Sequence, residues 1–352
     1  MTYRMLLAAT AATVLAAGPA SAQQTIKLVV VGAPPPTVTP SKVTKEFFVP
    51  QVTKRLEGSG YKIEWIEAYS QTLAKFTEVF ETVEEGVGHI GVLLKNFEEA
   101  KLPLEQYSSL IPFGATDPET MLAIDKRVHA KIPEMAATFL KFNQIALSHS
   151  ASAGLQLLTK FPVQKVEDLK GRKIGASGAT GQVLRGTGAV IVTANMAQSY
   201  TDIANGVYEG YPIGMLQAFP YKTYQAAPYY QKFDFLSTTA GALSVNKKTW
   251  DSLPEVVRKA IHDVGSQWGD EYARGEKAAE QQVIAQMQKE GLKIVAVPPG
   301  ERKKWAMMMP NIAKEWAQGL DKKGEPGTKV LTAYMDELRA AKVPLIREWD
   351  KE

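Results

Sequence analysis

The sequence predicts an α/β protein made of two α/β units in one chain. Apolar strands and amphipathic helices alternate in βαβαβ order over residues 26–94. A polar cluster of small residues within "ALSHSASAGLQLLTK" (146–160) precedes a new apolar strand, and so marks the start of a second unit. One long helical pattern over 254–289 is then expected to bridge both units.

The first 22 residues are typical of a secretory signal peptide. Arg4 supplies the positive start, Met5 to Ala17 form the apolar run, and Ala20-Ser21-Ala22 is a cleavage site of small residues. The mature chain is therefore expected to be secreted.

The first unit is predicted from four further patterns. The apolar run "IKLVVVGAPPP" (26–36) indicates a buried parallel strand, and a helix ending at "GSG" (58–60) follows it. "YKIEWIEAY" (61–69) alternates like a strand, 77–88 is helical, and "HIGVLL" (89–94) is again an apolar strand.

The second unit is predicted to contain "RKIGAS" (172–177), "GAVIVTA" (188–194) and a tyrosine-rich segment over 200–233. A strand and a helix start follow at 242–254. After the long helix come a strand at "KIVAV" (293–297) and two further helices.

Composition excludes several classes of function. The chain has no cysteine, so it has neither disulfides nor thiol chemistry. Its formal net charge of +4 is spread along the chain without a basic run, which argues against a nucleic-acid partner.

Catalytic, metal and cofactor sites find no support in the sequence. The four histidines (His89, His129, His149 and His262) lie far apart in sequence, which favours surface or strand-end positions over a metal site. No G-x-S-x-G elbow is present, and "GASGATGQ" (175–182) matches no nucleotide-binding spacing. This loop either offers N–H groups to a ligand or is a turn that needs positive φ. We predict no enzyme activity and no cofactor.

Several segments, in order, resemble the periplasmic solute receptors of TRAP transporters. "FPVQKVEDLKGRKIG" (161–175) is similar to the hallmark "P-x-x-x-x-x-DLKGLKIR" segment of that family. "YTDIANGVYEG" (200–210) and "LSVNKKTWDSLPEVVRKAI" (243–261) are similar to two later motifs. "EEGVGHIGV" (84–92) and "LPLEQYSSLIPF" (102–113) match the pattern of the first lobe.

The resemblance implies a two-lobed periplasmic binding protein fold, in which each lobe is a mixed sheet flanked by helices. Crossing strands and a long shared helix would join the lobes. The first lobe is then expected over 23–148 and about 238–270, and the second over 149–237 and about 271–352. The implied function is capture of a small solute and its delivery to a permease with a small and a large membrane subunit.

Five positions depart from the family pattern, and each carries an apolar or small residue where relatives contact the solute. The arginine that binds a solute carboxylate in most relatives is replaced by Gly175. The other four positions read Leu155, Leu93-Leu94, Met196 and Pro212-Ile213-Gly214. The sequence therefore predicts a pocket for an apolar or aromatic carboxylate rather than an ordinary dicarboxylate held by an arginine.

The predicted pocket is edged by Leu93, Leu94, Leu155, Met196 and Ile213, with Tyr211 and Phe219 nearby. Loop N–H groups near Ser177, or Lys95, Gln156 or Arg185, would meet the solute carboxylate. Lys95 and Arg185 could instead be solvated, and Tyr211 and Phe219 could belong to the core of the second lobe.

Alternatives to this function remain at this point. The solute could be neutral or an ordinary dicarboxylate, and the chain could be an ABC-type or tripartite tricarboxylate-type receptor. It could also sense a ligand for a membrane histidine kinase, and neighbouring genes for a permease or a kinase would decide between the two.

Overall fold

A computed structural model describes residues 23–176, 178–239 and 241–352. The predicted signal peptide and Ser177 lie outside the described residues. No helix in these three stretches is long and apolar enough to cross a membrane.

The strands are short, as is usual for α/β proteins. They are β1 Gln24–Gly32, β2 Tyr61–Ala68, β3 Ile90–Leu94, β4 Gln144–Ser150, β5 Gln156–Thr159, β6 Lys173–Ala176, β7 Val190–Thr193, β8 Gly210–Ile213, β9 Tyr229–Gln231, β10 Gly241–Asn246 and β11 Lys293–Val295.

The helices flank the strands and continue to the C-terminus. They are α1 Thr39–Val43, α2 Val49–Arg55, α3 Val79–Glu84, α4 Tyr107–Leu110, α5 Pro118–Lys131, α6 Pro133–Lys141, α7 Ser199–Ala204, α8 Met215–Ala218, α9 Thr223–Ala226, α10 Lys247–Ser252, α11 Glu255–Gly265, α12 Trp268–Lys289, α13 Glu301–Met308, α14 Ile312–Asp321 and α15 Gly327–Ala340. A π-helix at Thr44–Phe48 joins α1 to α2, and 3₁₀ turns include Lys95–Phe97 and Gly178–Leu184.

The first sheet has the order β2-β1-β3-β10-β4. β1 pairs in parallel with β2 and β3, which confirms the predicted buried parallel strand and the βαβαβ order. β10 is antiparallel to both β3 and β4. Leu28 and Val30 face one core of this sheet and Val31 faces another, so both faces are covered.

The second sheet has the order β11-β9-β5-β8. β6 and β7 form a parallel pair beside it, and the Glu209 N–H donates to the Lys173 carbonyl at 2.7 Å to join the two. β5 is antiparallel to β8 and β9. The fold is therefore the mixed α/β arrangement that the sequence predicted.

Two connecting segments, residues 151–155 and 232–239, run between the sheets. They pair with each other: the Ser152 N–H donates to the Thr238 carbonyl at 2.9 Å, and the Leu155 N–H donates to the Leu236 carbonyl at 2.7 Å. The Phe235 N–H returns a bond to the Leu155 carbonyl at 3.1 Å. The two segments thus form one hydrogen-bonded ribbon between the sheets.

The long helix predicted at 254–289 is interrupted. α11 ends at Gly265 and α12 begins at Trp268, because the Gly269 N–H donates to the Ser148 hydroxyl of β4 at 3.1 Å instead of to its own helix. A Cβ at Gly269 would lie 2.0 Å from the His149 carbonyl oxygen, so this close approach requires glycine.

α12 nevertheless reaches both sheets. Trp268 and Tyr272 pack in the core of the first sheet, whereas Met287 packs beside β5 and β8. The largest core joins α5 to the C-terminal helices, which are three, α13 to α15, rather than the two predicted. The residue bounds of the two lobes stay a prediction.

Candidate functional site

The first sheet presents one edge to the connecting segments. β1 and β3 are parallel and β10 is antiparallel to β3, so Gly32 and Leu94 end their strands at the edge where Gly241 begins β10. Gly241 also lies opposite Ser150, the last residue of β4. Both connecting segments leave from this edge.

The second sheet turns a corresponding edge toward them. Ile213, the last residue of β8, lies opposite Gln156, the first residue of β5. The Tyr211 hydroxyl donates to the Ala194 carbonyl, just after β7, at 3.3 Å. Strand ends at such a junction are where α/β proteins usually bind ligands, so the space between the edges is the candidate cleft.

Residues next to the two edges approach each other closely, at Glu99 and Gly178. Glu99 lies shortly after β3, and Gly178 follows β6. A Cβ at Gly178 would lie 3.3 Å from Oε1 of Glu99. Gly178 has a φ of +46°, which supports the turn explanation of the glycine-rich loop at this position.

The space beside Gly175 is filled by an aromatic ring. A Cβ there would lie 2.6 Å from Cε2 of Tyr208 and 2.7 Å from its Cδ2 and Cζ. Tyr208 is fully buried, and its hydroxyl has no hydrogen-bond partner among the described residues. Burial, with the charge of Asp202 added to it, raises the pKa of Tyr208, so the ring stays neutral. Tyr208 thus occupies the volume that an arginine at position 175 would need.

Lys95 lies in a buried cluster of charged groups behind the edge of the first sheet. Its ammonium donates to Oε2 of Glu105 at 2.5 Å and to Nδ1 of His149 at 3.1 Å. His129 donates to Oε1 of Glu105 at 2.9 Å. Asp125 accepts a bond from the Tyr107 hydroxyl at 2.6 Å and lies beside His129.

The protonation states in this cluster balance its charge. Burial alone would lower the pKa of His129, but Asp125 and Glu105 outweigh it and raise that pKa to about 10. Burial, with the charges on His129 and Lys95, lowers the pKa of His149 to about 3. Burial opposes ionisation of Glu105, yet Lys95 and His129 hold the pKa of that carboxyl well below its usual range. Two cations therefore face two carboxylates, with His149 neutral between them.

The cluster brings together two histidines that the sequence left far apart. The rings of His129 and His149 lie 4.0 Å apart between centroids, and the ligand atoms of these residues and Glu105 lie within 4.8 Å of one another. A metal ion could use such atoms. The Lys95 ammonium already bonds to Glu105 and His149, however, and so supplies the positive charge in its place. The absence of a metal stays a prediction.

Glu276 is a second buried carboxyl at the junction of the sheets. It projects from α12 and is 2% exposed, and its Oε2 accepts the Ala153 N–H of the first connecting segment at 3.3 Å. Burial raises its pKa to about 7, against the opposing bonds from Thr39 and Ala153. No described cation forms an ion pair with it. Glu276 therefore links the bridging helix to the connecting segments without a countercharge.

The remaining residues of the predicted pocket are mostly in cores or in polar pairs. Leu93 packs in a core of the first sheet, and Leu94 is partly buried beside it. Tyr211 and Ile213 belong to the core beside β8, with Met196 and Phe219 packed against it. This placement favours the core alternative for Tyr211 and Phe219.

Three more predicted residues also have partners. Leu155 is partly buried against the largest core. The Gln156 amide donates to the Asp234 carboxylate at 2.7 Å and accepts from its N–H at 2.9 Å. Arg185 donates to Glu315 at 2.6 Å on the surface of the protein. Contact of these residues with a solute stays a prediction.

Sequence reasoning missed Tyr208 and Glu276. Tyr208 lies inside "YTDIANGVYEG" (200–210), one of the segments that carry the family resemblance. Glu276 continues the apolar stripe of Trp268 and Tyr272 at helical spacing, and a carboxyl at that position was a usable signal of a buried polar site.

We expect Lys95→Met to lower the free energy of unfolding by about 3–5 kcal/mol, because it leaves Glu105 buried with one countercharge fewer. The double variant K95M/E105Q should lose less than the two single variants together. Urea unfolding of the four proteins measures this coupling. Wild-type stability of K95M would show that the ion pair is not a structural element.

We expect Glu276→Gln to remove a pH dependence of stability. The folded pKa of Glu276, about 7, lies above the usual value of 4.5, so ionisation destabilises the folded state as pH rises through this window. Between pH 4.5 and about pH 7, wild type should lose stability relative to E276Q. The difference in the free energy of unfolding, E276Q minus wild type, should grow by roughly 1.4 kcal/mol per pH unit. Urea unfolding from pH 4 to pH 8 tests it.

The matched control for this measurement is Glu57→Gln, at an exposed position. Its difference from wild type over the same pH range is the reference for the E276Q difference. An E276Q difference that does not change with pH would contradict the assignment of a raised pKa to Glu276.

Comparison with known proteins gives several matches. The sequence profile of the bacterial extracellular solute-binding protein family 7 matches residues 36–319. The outer membrane transporter protein TsaT of Comamonas testosteroni is 27% identical over 189 residues, which cover 51% of this chain and 54% of that protein. The chain therefore spans about half the length of the curated relative it matches.

Solved structures agree in fold. A TRAP periplasmic solute-binding protein from Desulfovibrio salexigens superposes with a TM-score of 0.78 at 20% identity, covering 90% of this chain and 96% of that one. A TRAP solute-binding protein from Rhodoferax ferrireducens, in complex with copurified benzoate, gives 0.77 at 18% identity, covering 90% and 98%. These matches confirm the two-lobed fold and the resemblance read from the motifs. The chain belongs to family 7 of the bacterial extracellular solute-binding proteins.

Proposed function

We propose that this receptor captures an aromatic or otherwise apolar carboxylate in the periplasm and delivers it to a TRAP permease with a small and a large membrane subunit. The observation that carries the proposal is the replacement of the family's carboxylate-binding arginine by Gly175, with the buried ring of Tyr208 in the adjacent space. A solute held by that arginine in relatives would find no cation at this position.

The charges of the other predicted contacts support the same conclusion. Lys95 is neutralised by Glu105, and Arg185 is paired with Glu315. A single carboxylate would then be met by neutral donors, such as loop N–H groups and the second N–H of the Gln156 amide, whose first N–H bonds to Asp234. A second carboxylate would have no countercharge there, and an unpaired buried charge costs several kcal/mol.

The apolar character of the second edge supports an apolar body for the solute. Ile213 ends β8 at this edge, and Met196 packs against the same core. A thioether packs well against a ring. A relative of the same fold was obtained with benzoate, which has the proposed chemistry.

Closure of the cleft would follow from contacts made with both edges at once. A solute that touches both edges only when they meet favours the closed state by its differential affinity. The ribbon of connecting segments and α12 would then serve as the hinge. Delivery to the permease would depend on recognition of the closed form.

The solute class is tested by a thermal-shift screen of residues 23–352 against aromatic acids, dicarboxylates, keto acids and neutral polyols. We expect aromatic monocarboxylates to raise the Tm, because they need one neutral-donor site and an apolar wall. Strong stabilisation by succinate or malate without any effect of aromatic acids would contradict the proposal. Stabilisation by polyols alone would indicate a neutral solute.

Gly175→Arg tests the role of Tyr208. We expect the single variant to be destabilised by overpacking, by about 1–3 kcal/mol or more, because its side chain meets a buried ring. In the double variant G175R/Y208A the ring is absent, and affinity for dicarboxylates should exceed that of the Y208A control.

Urea unfolding and titration calorimetry of the three variants measure these effects. If G175R kept the stability and the solute preference of wild type, Tyr208 would not be what excludes an arginine.

A further inference from the structure

A cavity of about 300 Å³ lies outside the candidate cleft. Four parts of the chain form it: residues 114–120 up to the start of α5, the second connecting segment, α13 and the segment after α15. Its lining includes Thr116, Asp117, Asp234, Arg302, Lys342 and Pro344. None of these residues is itself a predicted solute contact, although Asp234 bonds to Gln156, which is one.

Arg302 is fixed in this cavity by two main-chain carbonyls. Its Nε donates to the Phe233 carbonyl at 2.8 Å, and its Nη2 donates to the Asp234 carbonyl at 2.9 Å. The guanidinium carbon lies 5.6 Å from the centre of the Phe113 ring. A guanidinium has five N–H donors, so most of them remain for another acceptor. The side chain is therefore oriented before any ligand arrives.

The positive charge of Arg302 is not neutralised by an ion pair. Across residues 23–176, 178–239 and 241–352, no carboxylate oxygen lies within 4.0 Å of this guanidinium. Burial lowers the pKa of Arg302, although the negative charge of Asp234 opposes the shift. A partly buried cation that faces a cavity is a favourable site for an anion.

A second cation lines the same cavity. Lys342 is exposed, has a φ of +55°, and forms no ion pair with a carboxylate of the described residues. The carboxylates of the cavity are already engaged. Asp117 pairs with Lys277 at 2.7 Å and caps α5, and Asp234 accepts a bond from the Gln156 amide. Among the described lining residues, two cations without ion pairs, Arg302 and Lys342, therefore outnumber the one carboxylate without an ion pair, Asp234.

We propose that this cavity binds a small oxyanion, a carboxylate or a phosphate, through Arg302 and Lys342. The planar guanidinium can give two parallel N–H bonds to such a group, and the ammonium supplies a second charge. Because Arg302 holds Phe233 and Asp234, an anion bound there also stabilises the second connecting segment. The site thus lies where occupancy can affect the hinge between the sheets.

The test uses inorganic phosphate and acetate as probes, with sodium chloride at matched ionic strength as the reference. We expect the Tm of wild type to rise with probe concentration beyond the chloride reference. Lys342→Asn removes one charge at a residue type that tolerates positive φ, and it should weaken the apparent affinity at least about threefold. Lys323→Asn, an exposed control without an ion pair, should respond like wild type.

Arg302→Met should abolish the rise in Tm with phosphate or acetate. If R302M does not fold, the comparison of wild type with K342N still tests the proposal. Amide chemical shifts of the wild type on titration should move at 114–120 and 341–344 rather than at the strand ends of the cleft. A response to phosphate alone or to acetate alone identifies which oxyanion is bound. Equal responses of wild type and K342N, or shifts confined to the cleft, would overturn the proposal.

Discussion

The hydrogen-bonded ribbon between the two sheets is the constraint on which the rest of the structure depends. Ser152 pairs with Thr238, and Leu155 with Leu236 and Phe235, so the two connecting segments cannot move independently. α12 crosses behind them and contributes Glu276, whose carboxyl accepts the Ala153 N–H. A change in the angle between the sheets therefore alters a small set of backbone hydrogen bonds and the surroundings of Glu276, a buried carboxyl without an ion-pair partner among the described residues.

The same region shows how the protein handles charge. Lys95 is neutralised within a buried cluster, Arg185 is paired at the surface, and Tyr208 fills the space next to Gly175. The proposed selectivity for an apolar carboxylate then rests on neutral donors and shape. The cations without carboxylate partners, Arg302 and Lys342, lie in a different cavity, so two kinds of anion recognition are proposed for separate parts of the molecule.

Sequence reasoning was most successful where local patterns are strong. The apolar run of β1 and the alternation of β2 predicted strands that the structure contains. Both patterns reflect side chains that pack in the core of the first sheet. It failed where a distant contact decides the outcome. The helix over 254–289 is interrupted because the Gly269 N–H bonds to Ser148, a residue more than a hundred positions earlier. His129 and His149 meet for the same kind of reason, because α5 packs against β4.

The sequence by itself predicted the α/β class, the succession of strands and helices over 26–94 and the family motifs, and it places Gly175 where the family resemblance leads us to expect an arginine. These features depend on residues that are adjacent in the chain or at a fixed period, so they can be read without coordinates. Only the tertiary structure decided that Tyr208 fills the space beside Gly175, that Glu105 neutralises Lys95 and that Glu276 meets the connecting segment. Burial and partner choice belong to side chains brought together by folding, and a charge that seems available in the sequence can be fully committed once its neighbours are known.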